Sequence, residues 1–126
     1  MSEMHDSANN IAYLLAEAAS GSGAKTALAI PASDSADVRV VSYAQLASAA
    51  AQVQRHLAAL GVGRGDRVAL SMPNVALMPA LYYGIVAAGA ICVPLNPLLS
   101  GAELEYHLRD SGAKVLFAFA GTRLAS

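Results

Sequence analysis

Between Arg67 and Glu103 the chain contains no Asp, Glu, Lys or Arg. Inside that charge-free stretch the pattern changes twice. Arg67 to Met72 is a short β-type run, Val75 to Ala88 is apolar nearly all round, and Ile91-Cys92-Val93 is β-prone again. The wider segment Gly61 to Pro97 therefore reads as turn, strand, helix, turn, strand. Two strands joined by one helix make a βαβ crossover, which forces the strands to run parallel. A crossover helix without charge, carrying the small residues Gly84, Ala87, Ala88 and Gly89, is expected to lie tight against a sheet and be covered from outside. The stretch is thus expected at the centre of an α/β domain. Val75 to Val93 is also long and apolar enough to pass for a transmembrane helix. Pro79 inside it, Gly89 dividing it and its β-branched end favour a buried helix–strand unit.

The rest of the chain extends this unit on both sides. Asn9 or Asn10 caps a helix whose apolar face is Ile11, Leu14, Leu15 and Ala18, ended by Ser20-Gly21-Ser22-Gly23. Thr26 to Ile30 and Val38 to Val41 are strands, and the polar turn Pro31 to Asp37 makes them a hairpin with a long solvated loop. Ser42-Tyr43-Ala44-Gln45 is a capping box, with Val41 and Leu46 placed as the hydrophobic staple. The helix it opens shows Leu46, Ala50, Val53, Leu57 and Leu60 on one face. Gly61 with Val62 suits a Schellman ending.

After the first parallel strand, Asn74 is the expected N-cap. Leu77 cannot complete a box there, and Pro79 removes one helical bond, so the helix begins late or is kinked. Pro94-Leu95-Asn96-Pro97 leaves the second parallel strand at its carboxyl end, where α/β sheets place ligands. It reads as a rigid connector, with a pocket wall as the alternative. Ser100-Gly101-Ala102-Glu103 is a second capping box. Its helix runs to Ser111, with Leu104 and Leu108 inward and Glu103/His107 and Glu105/Arg109 paired on exposed faces. Gly112 ends it, and Lys114 to Phe119 is a third parallel strand; Gly121 to Ser126 carries no clear pattern. The expected architecture is α/β: a helix, a short β-hairpin, then three parallel strands with crossover helices on both faces, as in a doubly wound domain.

Candidate chemistry is sparse. Gly61, Gly63 and Gly65 invite a dinucleotide-loop reading, but such a loop needs a strand before the glycines and a helix after. Here a helix precedes and a strand follows, so the glycines read as a tight αβ turn. Arg64-Gly65-Asp66 in such a turn is not read as a cell-adhesion signal. His5, His56 and His107 sit on a tail and two helix surfaces, without a His/Cys/Asp cluster at metal spacing. Cys92, within an apolar strand, reads as an inert core thiol. No Ser/Thr/Gly-rich loop with a Lys is present to hold a triphosphate. No catalytic, cofactor-binding or metal-binding residue is therefore assigned.

Length and composition sharpen the picture. At 126 residues the chain is one domain at most, yet 56% hydrophobic and only 13% charged. That is apolar for a free-standing domain and fits a piece of a larger body. The net charge of −1 gives no reason to expect nucleic acid or an anionic membrane as partner. One cysteine excludes an internal disulfide framework and suits a reducing cytoplasm. The start, MSEMHDSANN, is polar and acidic, unlike a signal peptide. Bare apolar faces, and an uncharged β-prone run from Val115 to Phe119, lead us to expect self-association.

"GVGRGDRVALSMPN", "YYGIVAAGAICVPLNP" and "ELEYHLRDSGAKVLFA", in this order and spacing, resemble the N-terminal part of the acyl-adenylate-forming (AMP-binding) enzymes. Within them the chain is most similar to long-chain fatty-acid–CoA ligases, from about Asn10 to Ala118. "VSYAQL" matches the family's T/S-Y-x-E/Q-L segment. This chain departs from the family in its longer hairpin turn and at Ala76-Leu77-Met78-Pro79, where a Pro and an acidic residue are usual nearer the Asn. The resemblance implies residues 1–8 as a disordered tail and 9–126 as the N-terminal part of an adenylation domain, ending before the phosphate loop. It implies ATP, Mg²⁺ and CoA as cofactors of the parent enzyme, and a fatty or other carboxylic acid as substrate. The rest of the domain is the implied partner. The family's phosphate loop, ribose-binding acid and catalytic lysine have no counterpart here, so the chain alone is expected to be inactive and to bind none of the three.

Three functions follow. The first is the scaffold of an acyl-CoA synthetase. The second is a fragment of an aryl-CoA ligase or amino-acid adenylation domain, against which "VPLNPLLSGAELEYHLRDSGAK" favours the acyl-CoA branch. The third is a self-contained α/β binding module. A receiver or flavodoxin-like domain would need an acidic cluster or phosphate loop at a strand's carboxyl end, and Leu70-Ser71-Met72-Pro73 and Val93-Pro94-Leu95-Asn96 supply neither.

Overall fold

The computed structural model describes residues 10–31, 38–73 and 75–119. Its elements, in order, are α1 (Ala12–Ser22), β1 (Thr26–Pro31), β2 (Val38–Ser42), α2 (Tyr43–Ala59), β3 (Arg67–Ser71), α3 (Leu77–Ala87), β4 (Ile91–Pro94), α4 (Gly101–Ser111) and β5 (Val115–Ala118). The expected residues 1–8 tail, the hairpin loop from Ala32 to Asp37, the Asn74 cap and the segment from Gly121 to Ser126 lie outside the described residues.

β1 and β2 form an antiparallel pair of their own. The other sheet has the order β4-β3-β5 with all strands parallel, Val68 of β3 standing between Cys92 and Val115. The chain moves from β3 to β4, then back across β3 to β5. With right-handed crossovers that reversal puts α3 and α4 on opposite faces. Val68 joins Leu57 of α2 and Ile85 of α3 in the main core, whereas Ala69 and Ser71 point to the other face and are also fully buried.

The charge-free helix is buried as its pattern requires. α3 buries Ala80, Leu81, Gly84, Ile85 and Ala87 between the sheet and helices α1 and α2. It starts late, at Leu77, so Pro79 stands in the first turn, where an N–H has no intrahelical acceptor. The apolar run from Val75 to Val93 is thus divided into helix, turn and strand. Among the described residues no helix is long and apolar enough to cross a membrane.

Local signals hold in detail. Ser42 Oγ accepts from the Gln45 N–H at 3.1 Å, and Gln45 Oε1 accepts from the Ser42 N–H at 2.9 Å. Val41 packs with Leu46 in the cluster that also holds Leu15, Ala50 and Ala80. At the end of α2 the Gly61 N–H donates to Ala58 O (3.0 Å) and the Val62 N–H to Leu57 O (3.0 Å), with Gly61 at φ +80°. That is the Schellman pattern. The same pair of bonds recurs at Gly89-Ala90 and Gly112-Ala113, so all three helices that feed the parallel sheet end alike.

Four expectations are corrected. The inward residues of α1 are Ala12 and Leu15, while Ile11 and Leu14 are 46% and 63% exposed. The cause is rotation of the helix: the Asn10 side-chain amide donates to Val86 O at 2.7 Å and pins the start of α1 to the end of α3. Leu60 is exposed, because the chain turns away from the core at the Schellman ending. The second capping box is half formed. Ser100 Oγ accepts from the Glu103 N–H at 3.2 Å, without the return bond. Finally, β4 is an edge strand whose Ile91 is 52% exposed, so Cys92 lies in a half-buried strand.

Candidate functional site

The sheet offers two ends. At the carboxyl end lie Ser71-Met72-Pro73, the exit Pro94-Leu95-Asn96-Pro97, and Phe119. The Leu95 N–H donates to Leu70 O (2.9 Å) and the Phe119 N–H to Ser71 O (3.2 Å), which ties both exits to the central strand. Asn96 Oδ1 accepts from the Leu98 N–H at 2.9 Å, so this side chain is turned into its own loop. These bonds support the connector reading of Pro94–Pro97. No titratable side chain stands among those residues. Ser71 is fully buried there, and its hydroxyl has no partner among the described residues.

The polar groups gather at the opposite, amino end. Asp66 Oδ2 accepts from the Gly63 N–H (2.8 Å) and from Lys114 Nζ (3.3 Å), and Lys114 Nζ also donates to Gly61 O (3.0 Å). Arg67 Nε donates to Ser111 O at 2.7 Å. Arg67 thus sits on the last carbonyl of α4, and Lys114 on the carbonyl of Gly61 just past the end of α2, both beside the negative ends of those helices. The Gly63 N–H first, and Lys114 second, hold the Asp66 carboxyl below its ordinary range.

The remaining candidates are structural. Burial pushes the Cys92 thiol up, away from the thiolate a nucleophile needs. Arg109 pairs with Glu105 at 2.6 Å, while the His107 ring stands edge-on to Tyr106. His56 lies exposed on α2, and His5 lies outside the described residues. Sequence reasoning missed Gln54, buried on α2, whose Nε2 donates to Ala87 O at 3.1 Å. Its position between Ala50 and Leu57 on the apolar stripe was the available signal. With Asn10 on Val86 O, it completes the carbonyl end of α3 by side-chain amides.

Among the described residues, those gathered at the two sheet ends do not fit the triphosphate of ATP or Mg²⁺. A triphosphate needs converging cations and N–H donors, and here Arg67 and Lys114 are committed to helix ends on the wrong side of the sheet. Among the described residues no three His, Cys, Asp or Glu side chains come together as metal ligands.

Comparison with known proteins supplies what the site does not. The family of AMP-binding enzymes matches residues 15–126. The long-chain-fatty-acid–CoA ligase FadD13 of Mycobacterium tuberculosis is 41% identical over 107 residues, which is 85% of this chain and 20% of that protein. The chain therefore spans about a fifth of the length of that relative. The inhibitor-bound N-terminal domain of FACL13 from Mycobacterium tuberculosis superposes with a TM-score of 0.77 at 38% identity, over 85% of this chain and 26% of that one. An anthranilate CoA ligase, AuaEII, bound to anthranoyl-AMP, superposes with a TM-score of 0.76 at 37% identity, over 85% of this chain and 20% of its own. An α/β unit of this topology, matched along most of its length, belongs to the AMP-binding enzyme family.

Proposed function

We propose that this chain is the scaffold portion of an ATP-dependent acyl-CoA synthetase. The parent enzyme joins a fatty acid to CoA through an acyl-adenylate, releasing AMP and pyrophosphate. Residues 9–126 supply the first part of its adenylation domain, before the phosphate loop, and residues 1–8 precede it as a tail. The observation that carries this reading is the match to a long-chain-fatty-acid–CoA ligase along 85% of this chain. ATP, Mg²⁺ and CoA are then held by the remainder of the domain, the partner of this piece, in the cytoplasm. The exposed apolar side chains Ile91 and Leu98 favour self-association when that partner is missing.

Acyl adenylation brings a carboxylate against the α-phosphate of ATP. Positive charge and N–H donors must meet the charge that develops there. Arg67 and Lys114 are engaged at the opposite end of the sheet, so in this reading the piece acts by supporting the sheet rather than by touching the reacting atoms. The purified 126-residue chain is expected to show no fatty-acid-dependent ATP–pyrophosphate exchange. The same segment joined to its natural downstream sequence is expected to show exchange and acyl-CoA formation. Exchange by the chain alone, abolished by a point change within it, refutes the proposal.

A second reading keeps the chemistry and changes the acid. Likeness to the anthranilate CoA ligase, at 37% identity, favours an aryl acid. Exchange driven by benzoate-type acids but not by fatty acids, in the joined protein, would decide for it.

A further inference from the structure

The turn from Gly61 to Arg67 does more than connect α2 to β3. Its Gly65 N–H donates to Gly89 O (3.0 Å) at the end of α3, and Asp66 O accepts from the Ile91 N–H (2.7 Å) at the start of β4. Arg67 O accepts from the Lys114 N–H (2.8 Å) at the start of β5. All three αβ connections therefore meet on one short loop.

They are not anchored equally. α3 buries five residues and α2 four, whereas α4 buries one, Leu104. Among the described residues β5 pairs with β3 alone, and its Val115, Leu116 and Phe117 are half-buried, Val115 and Phe117 lying against the main core. What joins this arm to the loop is a reciprocal pair of side chains. Arg67, from the loop side, reaches Ser111 O at the end of α4, and Lys114, from the arm, reaches Gly61 O and Asp66. The Arg67 guanidinium also lies over Gly112, where an added Cβ would meet it at 2.6 Å. Both ties are exposed and both close on the junction between α4 and β5.

We propose that residues 101–118, α4 with β5, form a strap that opens from β3 as one unit, with Arg67 and Lys114 as its two ties. When it opens, β3 keeps its pairing with β4 and the cover of Leu57, Val62 and Ile85. Ser71, opposite Ala118 in the ladder, gains water for a hydroxyl that lacks a partner among the described residues, which favours opening. Units with few buried contacts are the ones that open below the global transition. This motion goes beyond the adenylation reading and does not depend on it.

Native-state hydrogen exchange on the whole chain tests it without ligand or activity. In the wild type, amides from 104 to 118 are expected to exchange through one shared opening, faster than those of Val68 and Ile85. Lys114→Met and Arg67→Met are each expected to speed exchange of that set by about tenfold, leaving amides of α2 and α3 unchanged. Exchange of 104–118 at the same rate as Val68 and Ile85 in the wild type overturns the proposal, whether or not the variants fold. So does a variant that accelerates α4 without β5, or every element alike.

Discussion

A Cβ placed on Gly84 would lie 2.5 Å from Cβ of Val53 and 2.8 Å from the Ala50 carbonyl oxygen. α2 and α3 thus touch backbone to side chain, and this contact binds the helical layer over the sheet. Gly84→Ala would gain about 1 kcal/mol of helix propensity on an open helix. Here it is expected to cost about 1–3 kcal/mol net, because overpacking forces the helices apart. Urea titration measures the change. Val53→Ala removes Cγ1, which stands 2.5 Å from the same position, and in the Gly84→Ala background is expected to recover part of the loss; a double variant no better than the sum of the singles would remove this explanation.

The glycines of the αβ turn should separate cleanly. Gly61 holds φ +80° within the Schellman ending, whereas Gly63 has no positive φ and an added Cβ there would meet only Asp66 Oδ2, at an ordinary 4.0 Å. Gly61→Ala is expected to lose about 1 kcal/mol or more, and Gly63→Ala to change stability by about 0.5 kcal/mol or less. Equal losses at both positions in thermal unfolding would contradict the assignment of the turn.

Gln54 tests how the end of α3 is completed. Gln54→Ala removes the donor to Ala87 O and leaves a cavity beside it, for an expected loss of about 1–3 kcal/mol. Gln54→Met also removes the donor, but keeps the volume and deletes Oε1, an acceptor without a partner among the described residues. It should cost less than the alanine. The order of denaturation midpoints decides the matter, and a methionine variant as unstable as the alanine would count against the packing argument.

Asp66 makes stability depend on pH at the acid end. Its carboxyl is lowered from the ordinary 3.8 by the Gly63 N–H and then by Lys114. A lowered folded value contributes stability that is present above 3.8 and is lost as pH falls through the lower folded value. Asp66→Asn is therefore expected to be less stable than wild type near neutrality and to show a shallower loss on acidification. Parallel acid limbs for the two proteins, followed by circular dichroism, would show that this carboxylate carries no such linkage.

Much of this molecule is written locally in its residues. The Ser42–Gln45 box, the Gly61-Val62 ending, the hairpin and the uncharged crossover helix each depend on neighbours a few positions away. Periodicity and capping suffice for these, and with the strand–helix–strand order they determined parallel pairing; the family resemblance rests on the segments GVGRGDRVALSMPN, YYGIVAAGAICVPLNP and ELEYHLRDSGAKVLFA themselves. The rotation of α1, the buried amide of Gln54, the exposure of β4 and the tasks of Arg67 and Lys114 were decided only by tertiary structure. Their partners stand far off in sequence: 76 residues for Asn10 and Val86, 33 for Gln54 and Ala87, 44 for Arg67 and Ser111, 53 for Lys114 and Gly61. A pattern of apolar positions shows which face of a helix is buried, to within one turn. It does not say which distant carbonyl will need a donor, because that need arises only when the helix ends are brought together.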